Sequence, residues 1–124
     1  LEAKPKPLAI DAKPCDQDAE IIVLALSGYL DTHTVLDFDQ AMNRRLEDGF
    51  VRFIVDAGNL NYISSAGIGS LMRFVQEVRQ RGGGLVLLQP SERVYAVLDL
   101  LGFALIFKFA SSIEEAVSFL REKT

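Results

Sequence analysis

The run Phe53-Ile54-Val55-Asp56-Ala57-Gly58-Asn59-Leu60-Asn61-Tyr62-Ile63-Ser64-Ser65-Ala66-Gly67-Ile68 contains the change of hydrophobic period on which the architecture turns. Phe53-Ile54-Val55 is continuously apolar, the pattern of a strand covered on both faces, and it closes on the acid Asp56. From Gly67 onward, Ile68, Leu71, Met72, Val75 and Val78 recur at helical spacing until Gly82-Gly83-Gly84 stops the helix. Between the two, Ala57 to Ile63 reads as a loop with Gly58 and Asn59 as turn residues.

The same alternation extends in both directions. Upstream, Ile21 to Leu26 is a buried strand that ends at Ser27-Gly28. Val35, Phe38, Met42 and Leu46 then form one face of a helix, stopped at Gly49. Downstream, Leu85 to Leu88 is a third buried strand, and Pro90-Ser91 opens a helix with Val94, Val97, Leu98 and Leu101 inward and Gly102 at its end. Leu105-Ile106-Phe107 reads as a short last strand. Ser112-Ile113-Glu114-Glu115 is a capping box for a final helix through Leu120. Pro5, Pro7 and Pro14 crowd the start, where Leu8-Ala9-Ile10 suits a short edge strand, because proline is tolerated at sheet edges. Strands alternating with helices over short connections predict a parallel α/β sheet with crossover helices. Residues 1–19 are expected to be a lead segment of the domain that occupies residues 20–124.

With 124 residues, the chain has the length of one domain with a real core. Its net charge of −4 argues against a polyanionic partner such as nucleic acid. No run of about 18 apolar residues offers a membrane span. The single histidine, His33, and single cysteine, Cys15, exclude an internal disulfide and a zinc site built of cysteine and histidine. A hydrolytic triad would have to use His33, which reads as a solvated loop residue. Cys15 is expected to be incidental in a polar, mobile segment. Phe103, Phe107 and Phe109 read mainly as packing for the last strand. Neither a metal nor a cofactor is expected, and low cysteine use fits a reducing cytoplasm.

Chemistry in open α/β sheets gathers at the carboxyl ends of the strands. Gly28-Tyr29-Leu30-Asp31, Asp56 and the Asn61–Gly67 segment are expected to share that end. Ser64 and Ser65 stand where a helix begins, so one of them is a natural N-cap, and a phosphate esterified there would meet unpaired amides and the positive end of the helix dipole. Gly67-Ile68-Gly69 lacks the third glycine and the immediately preceding strand of a dinucleotide loop, and reads as close helix–strand packing.

An ordered set of landmarks resembles the STAS domain of bacterial anti-sigma factor antagonists. It comprises Leu26-Ser27-Gly28-Tyr29-Leu30-Asp31, then Phe53-Ile54-Val55-Asp56 with Tyr62-Ile63-Ser64-Ser65-Ala66-Gly67-Ile68. It continues with Arg81-Gly82-Gly83-Gly84-Leu85, Val97-Leu98-Asp99-Leu100-Leu101-Gly102-Phe103 and Ser112-Ile113-Glu114-Glu115-Ala116, and spans roughly Ile21 to Leu120. The resemblance implies a mixed, mostly parallel sheet with about four to five helices. It also implies a cytoplasmic, non-enzymatic, monomeric regulator that binds an anti-sigma factor, itself a serine kinase, and so releases a sigma factor. A PP2C-type phosphatase would reverse the kinase. The implied docking surface is Asp31, Thr32, Asp56, Tyr62, Ser64, Ser65, Ala66 and Gly67. In the family pattern of acid-serine-serine-glycine, the hydroxyl before glycine takes the phosphate. Here Ala66 holds that place and Ser64 the acid's, so Ser65 is the first phosphorylation candidate and Ser64 the second, or the domain is not switched by phosphorylation. Two other readings stand beside this one: a STAS sensor or scaffold module of a larger signalling protein, and a small nucleotide-binding α/β protein.

Overall fold

Continuous aliphatic runs cannot leave either face in water, and the chain solves this with one sheet between two helical layers. The structure, a computed structural model, describes residues 7–122. Five strands lie in the order β1-β2-β3-β4-β5: Leu8–Cys15, Asp18–Leu30, Arg52–Ile63, Gly84–Leu88 and Lys108–Ala110. β1 is antiparallel to β2, and every other pairing is parallel. The crossovers are α1 (Val35–Glu47), α2 (Ser65–Gln80) and α3 (Glu92–Leu100), and α4 (Ile113–Arg121) follows β5.

Alternate side chains of a strand point to opposite faces, which sorts the apolar runs into two cores. Ile22, Leu24, Phe53, Val55, Leu85 and Leu87 pack with Phe38 and Met42 of α1, Phe74 of α2 and Leu98 of α3. Ile21, Ile54, Val86, Leu88 and Ala110 face the other way, onto Ala116, Val117 and Leu120 of α4. α1 and α2 are tied to each other by an edge-on contact of Phe38 with Phe74, 5.9 Å between ring centroids. Beside it, Asp39 accepts from the buried Ser70 hydroxyl and pairs with Arg73 at 3.0 Å.

Several sequence expectations require correction. The segment read as a loop, Ala57 to Ile63, is strand: β3 runs on to Ile63 beside β2, which reaches Leu30. The register shows why. Ala25 pairs with Asp56 but Ser27 with Asn59, and Gly28 pairs with Leu60 but Tyr29 with Tyr62, so β3 twice spends one extra residue. Gly58 and Asn61 fall in bulges, and Asn59 pairs with Ser27, so none of them makes a turn. The strand placed at Leu105 to Phe107 is displaced: Phe103–Leu105 is a 3-10 turn and the strand is Lys108–Ala110. β4 takes its partner where the small Ala110 fits under α4, and Phe107 is buried just before it. Cys15 is buried rather than mobile, because β1 continues through Pro14 and an irregularity at Pro14/Cys15 tucks the thiol into the α4-side core. The capping box is half as expected: Ser112 accepts from the Glu115 amide at 3.1 Å, but Glu115 reaches the amide of Ser111 rather than that of Ser112.

Gly83 allows the return from α2 into β4, since a Cβ there would fall on the Val51 backbone, beside the 3.0 Å bond from the Gly84 amide to the Val51 carbonyl. Gly83→Ala is expected to cost about 2 kcal/mol or more, read as a melting temperature lower by roughly 6 °C or more.

Asp18 joins the start of β2 to the end of α4. The Glu20 amide, 3.0 Å away, and then Arg121, also at 3.0 Å, hold its carboxyl below the ordinary aspartate value of 3.8. A lowered pKa gives stability that is present above the ordinary value and lost as pH falls through the lowered one. NMR titration should find the Asp18 midpoint below 3.8, and Arg121→Ala should raise it only in part, because the Glu20 amide remains.

Candidate functional site

Parallel pairing brings the carboxyl ends of β2 and β3 side by side, with Tyr29 opposite Tyr62 and Leu30 opposite Ile63. Leu30 and Ile63 are buried on the helical side. Their neighbours Tyr29 and Tyr62 are each 47% exposed and stand on the other face of the sheet. The two strands then release into two connections that stay joined, as the Ser64 amide donates to the Leu30 carbonyl at 2.9 Å.

The first connection, Asp31 to Thr34, is held by side-chain to backbone bonds. Asp31 accepts from the His33 amide at 2.9 Å, and the amide of Asp31 donates to the Thr34 hydroxyl, also at 2.9 Å. Thr32 and His33 project into solvent. The second connection is a single residue, Ser64, the N-cap of α2, whose hydroxyl oxygen accepts from the Gly67 amide at 3.4 Å. Ser65 is the first helical residue and is exposed, while Ala66 is half-buried and Gly67 buried. The capping reading therefore belongs to Ser64. Among the described hydrogen bonds the Ser65 side chain has no partner, so its hydroxyl is open to solvent and to a partner surface, and no base touches it.

Gly67 sits where the helix presses against β2. A Cβ at this position would lie 2.8 Å from the Leu30 carbonyl oxygen and 2.9 Å from side-chain carbons of Leu30 and Ile63. Gly69 has open space around it, so the packing explanation holds for Gly67 alone.

The residues expected to share one surface divide. Asp31, Thr32, Tyr62, Ser64, Ser65, Ala66 and Gly67 lie at the joint end of β2 and β3. Asp56 does not, because β3 continues seven residues from Asp56 to Ile63, at most about 23 Å of strand. It lies where β4 ends, opposite Leu88, and accepts from the Gly58 amide at 3.1 Å. The sequence places Tyr29 at this end as part of Gly28–Asp31, but neither it nor Thr34 is among the docking residues that the resemblance implies. A signal for Tyr29 was available, since Tyr29-Leu30-Asp31 and Tyr62-Ile63-Ser64 repeat one pattern at the ends of two paired strands.

The largest cavity described, about 510 Å³, opens at the amino ends of β3 and β4 between Gly82–Gly84 and α4. None of the described cavities touches the serine connection. Among the described residues, no three His, Cys, Asp or Glu side chains group to hold a metal ion, and no helix is long and apolar enough to cross a membrane.

The STAS domain family model matches residues 13–116. The chain belongs to the STAS domain family. A Bordetella bronchiseptica protein assigned as the anti-sigma factor antagonist BtrV is 30% identical over 79% of this chain and 84% of its own. An anti-sigma factor antagonist from Mycobacterium paratuberculosis superposes with a TM-score of 0.81 at 16% identity, covering 98% of this STAS chain and 100% of that one. SpoIIAA of Bacillus, in its unphosphorylated form, superposes with a TM-score of 0.75 at 24% identity over 94% of this chain and 99% of its own. Its phosphorylated form gives 0.67 at the same identity, over 91% and 100%. At these identities the structures show the fold: a single α/β domain with a five-stranded, mostly parallel mixed sheet and four α-helices. The expected architecture is the observed one.

Gly67→Ala tests the contact that places α2. We expect a loss of about 1–3 kcal/mol in urea unfolding, because neither a backbone carbonyl nor a packed strand yields easily. Gly69→Ala, with open space at its Cβ, should leave stability unchanged or slightly raised.

Proposed function

We propose that this STAS domain is an anti-sigma factor antagonist without enzymatic activity. It docks on an anti-sigma factor through the joined ends of β2 and β3, and phosphorylation of Ser65 by that factor's serine kinase activity releases it. The single observation that carries this reading is the division of labour between the two serines. Ser64 caps α2 and is half-buried, whereas Ser65 is exposed at the first helical position with its hydroxyl unbonded. A phosphate on Ser65 would add about 1.5 to 2 negative charges beside the α2 amides, where the fold accommodates it. It would stand in the middle of the surface a partner must cover, so it acts on docking and not on folding. SpoIIAA has been solved in phosphorylated and unphosphorylated forms, and relatives of this chain carry the name anti-sigma factor antagonist.

The rest of the reading follows from the same surface. A face with exposed tyrosines and none of the described cavities suits a protein partner better than a small molecule. A PP2C-type phosphatase would return Ser65 to its free state. Of the lead segment 1–19, residues 7–19 are taken as part of the domain, on the pairing of Leu8–Cys15 with β2, and residues 1–6 lie outside the described residues. A regulator of this kind works in the cytoplasm, and as a monomer.

Incubation with ATP and each anti-sigma factor of the source genome, followed by mass spectrometry, tests the proposal. Phosphate is expected on Ser65, absent from Ser65→Ala and retained in Ser64→Ala, and Ser65→Glu should bind the anti-sigma factor at least tenfold more weakly. Phosphate on Ser64, or binding with no phosphorylation, would overturn the switch. Failure to bind any anti-sigma factor would overturn the function.

A further inference from the structure

The four α-helices of this domain each begin at a hydroxyl residue. Three of them use it in the ordinary way: Ser64, Ser91 and Ser112 each accept from the amide three residues on. Thr34, the N-cap of α1, makes no side-chain capping bond. Its side chain turns back into the protein, where the residue is 2% exposed. There the hydroxyl donates to the Tyr29 carbonyl at 2.8 Å and accepts from the Asp31 amide at 2.9 Å.

Those two bonds close a ring over the last residues of β2 and the turn that follows. Leu30 lies inside the ring, and its carbonyl is the group that receives the Ser64 amide. The same carbonyl and the Leu30 side chain form the wall against which Gly67 is packed. The buried hydroxyl thus ties Tyr29 to Asp31 around Leu30, which meets the start of α2, and adds to the backbone bonds from the Thr34 and Val35 amides to the Asp31 carbonyl.

We propose that Thr34 is a positioning residue of the docking face. Its hydroxyl holds the Asp31–His33 turn and the serine connection as one rigid unit, so that the partner meets a surface already in its bound arrangement. Pre-organisation of this kind raises affinity by removing the ordering cost of binding. The docking half of the proposal rests on the function proposed above. The rigidity half concerns the free protein alone.

Thr34→Val keeps the shape and removes both bonds, and Thr34→Ser restores the hydroxyl. Amide hydrogen exchange by NMR on the free protein reads the rigid unit. In Thr34→Val, the Asp31 and Ser64 amides should exchange roughly tenfold faster while those of α4, such as Val117, keep their rates, and Thr34→Ser should return near to wild type. Unchanged protection at Asp31 and Ser64 would overturn the proposal, as would a loss shared equally by α4. With an anti-sigma factor that binds the wild type, Thr34→Val should lose about tenfold in affinity and Thr34→Ser should recover it. A loosened turn with undiminished affinity would overturn the docking role. Absence of wild-type binding would instead be the failure of the functional reading, visible before any variant is compared.

Discussion

The parallel pairing of β2 with β3, from Ile21 opposite Arg52 to Leu30 opposite Ile63, is the constraint on which the rest of the molecule depends. It is the longest ladder of the sheet that is parallel, and it outruns β4, which ends at Leu88 opposite Asp56. A projecting pair of strands with one face in water would be hard to stabilise by its own ladder. Here β1 lies along one side up to Gly28. On the other side Ser91 takes over where β4 stops, its hydroxyl donating to the Leu60 carbonyl and its amide to that of Ala57. The N-terminus of α3 thus closes an edge that would otherwise be open, and β2 and β3 deliver their ends together to the surface.

From that delivery the site follows. Two strands ending side by side place two connections within a hydrogen bond of each other, and α2 begins at once against β2 because Gly67 lets it approach. Backbone geometry does most of the work. A surface of this kind is changed by what is attached to it. On the proposed function, one phosphate at the exposed Ser65 would alter charge and shape at the docking face while leaving both cores untouched.

Much of this was legible in the order of residues. The aliphatic runs at Ile21–Leu26, Phe53–Val55 and Leu85–Leu88 announce strands buried on both faces, and Val35, Phe38, Met42 and Leu46 announce α1. The misreadings share a cause. Gly58 and Asn59 have the composition of a turn, and composition does not distinguish a turn from a bulge, since each needs residues that leave regular pairing easily. Leu105 and Ile106 have the composition of a strand, yet the last three residues of β4, Val86 to Leu88, pair with Lys108–Ala110 instead.

Local periodicity and capping chemistry are properties of neighbouring residues, so the sequence by itself determined the α/β alternation, the helix start at the two serines and the family landmarks. Position along a ladder is a property of two distant segments. The tertiary structure alone therefore decided that β3 carries Ser64 beside Asp31 and leaves Asp56 behind, and that Cys15 is core. It also decided that Ser64 is spent on the cap while Ser65 is free, because only folded coordinates show which hydroxyl the Gly67 amide reaches. The burial of Thr34 belongs to the same class: a threonine at a helix start looks like a cap in any sequence, and only the fold shows its hydroxyl turned toward Tyr29 and Asp31.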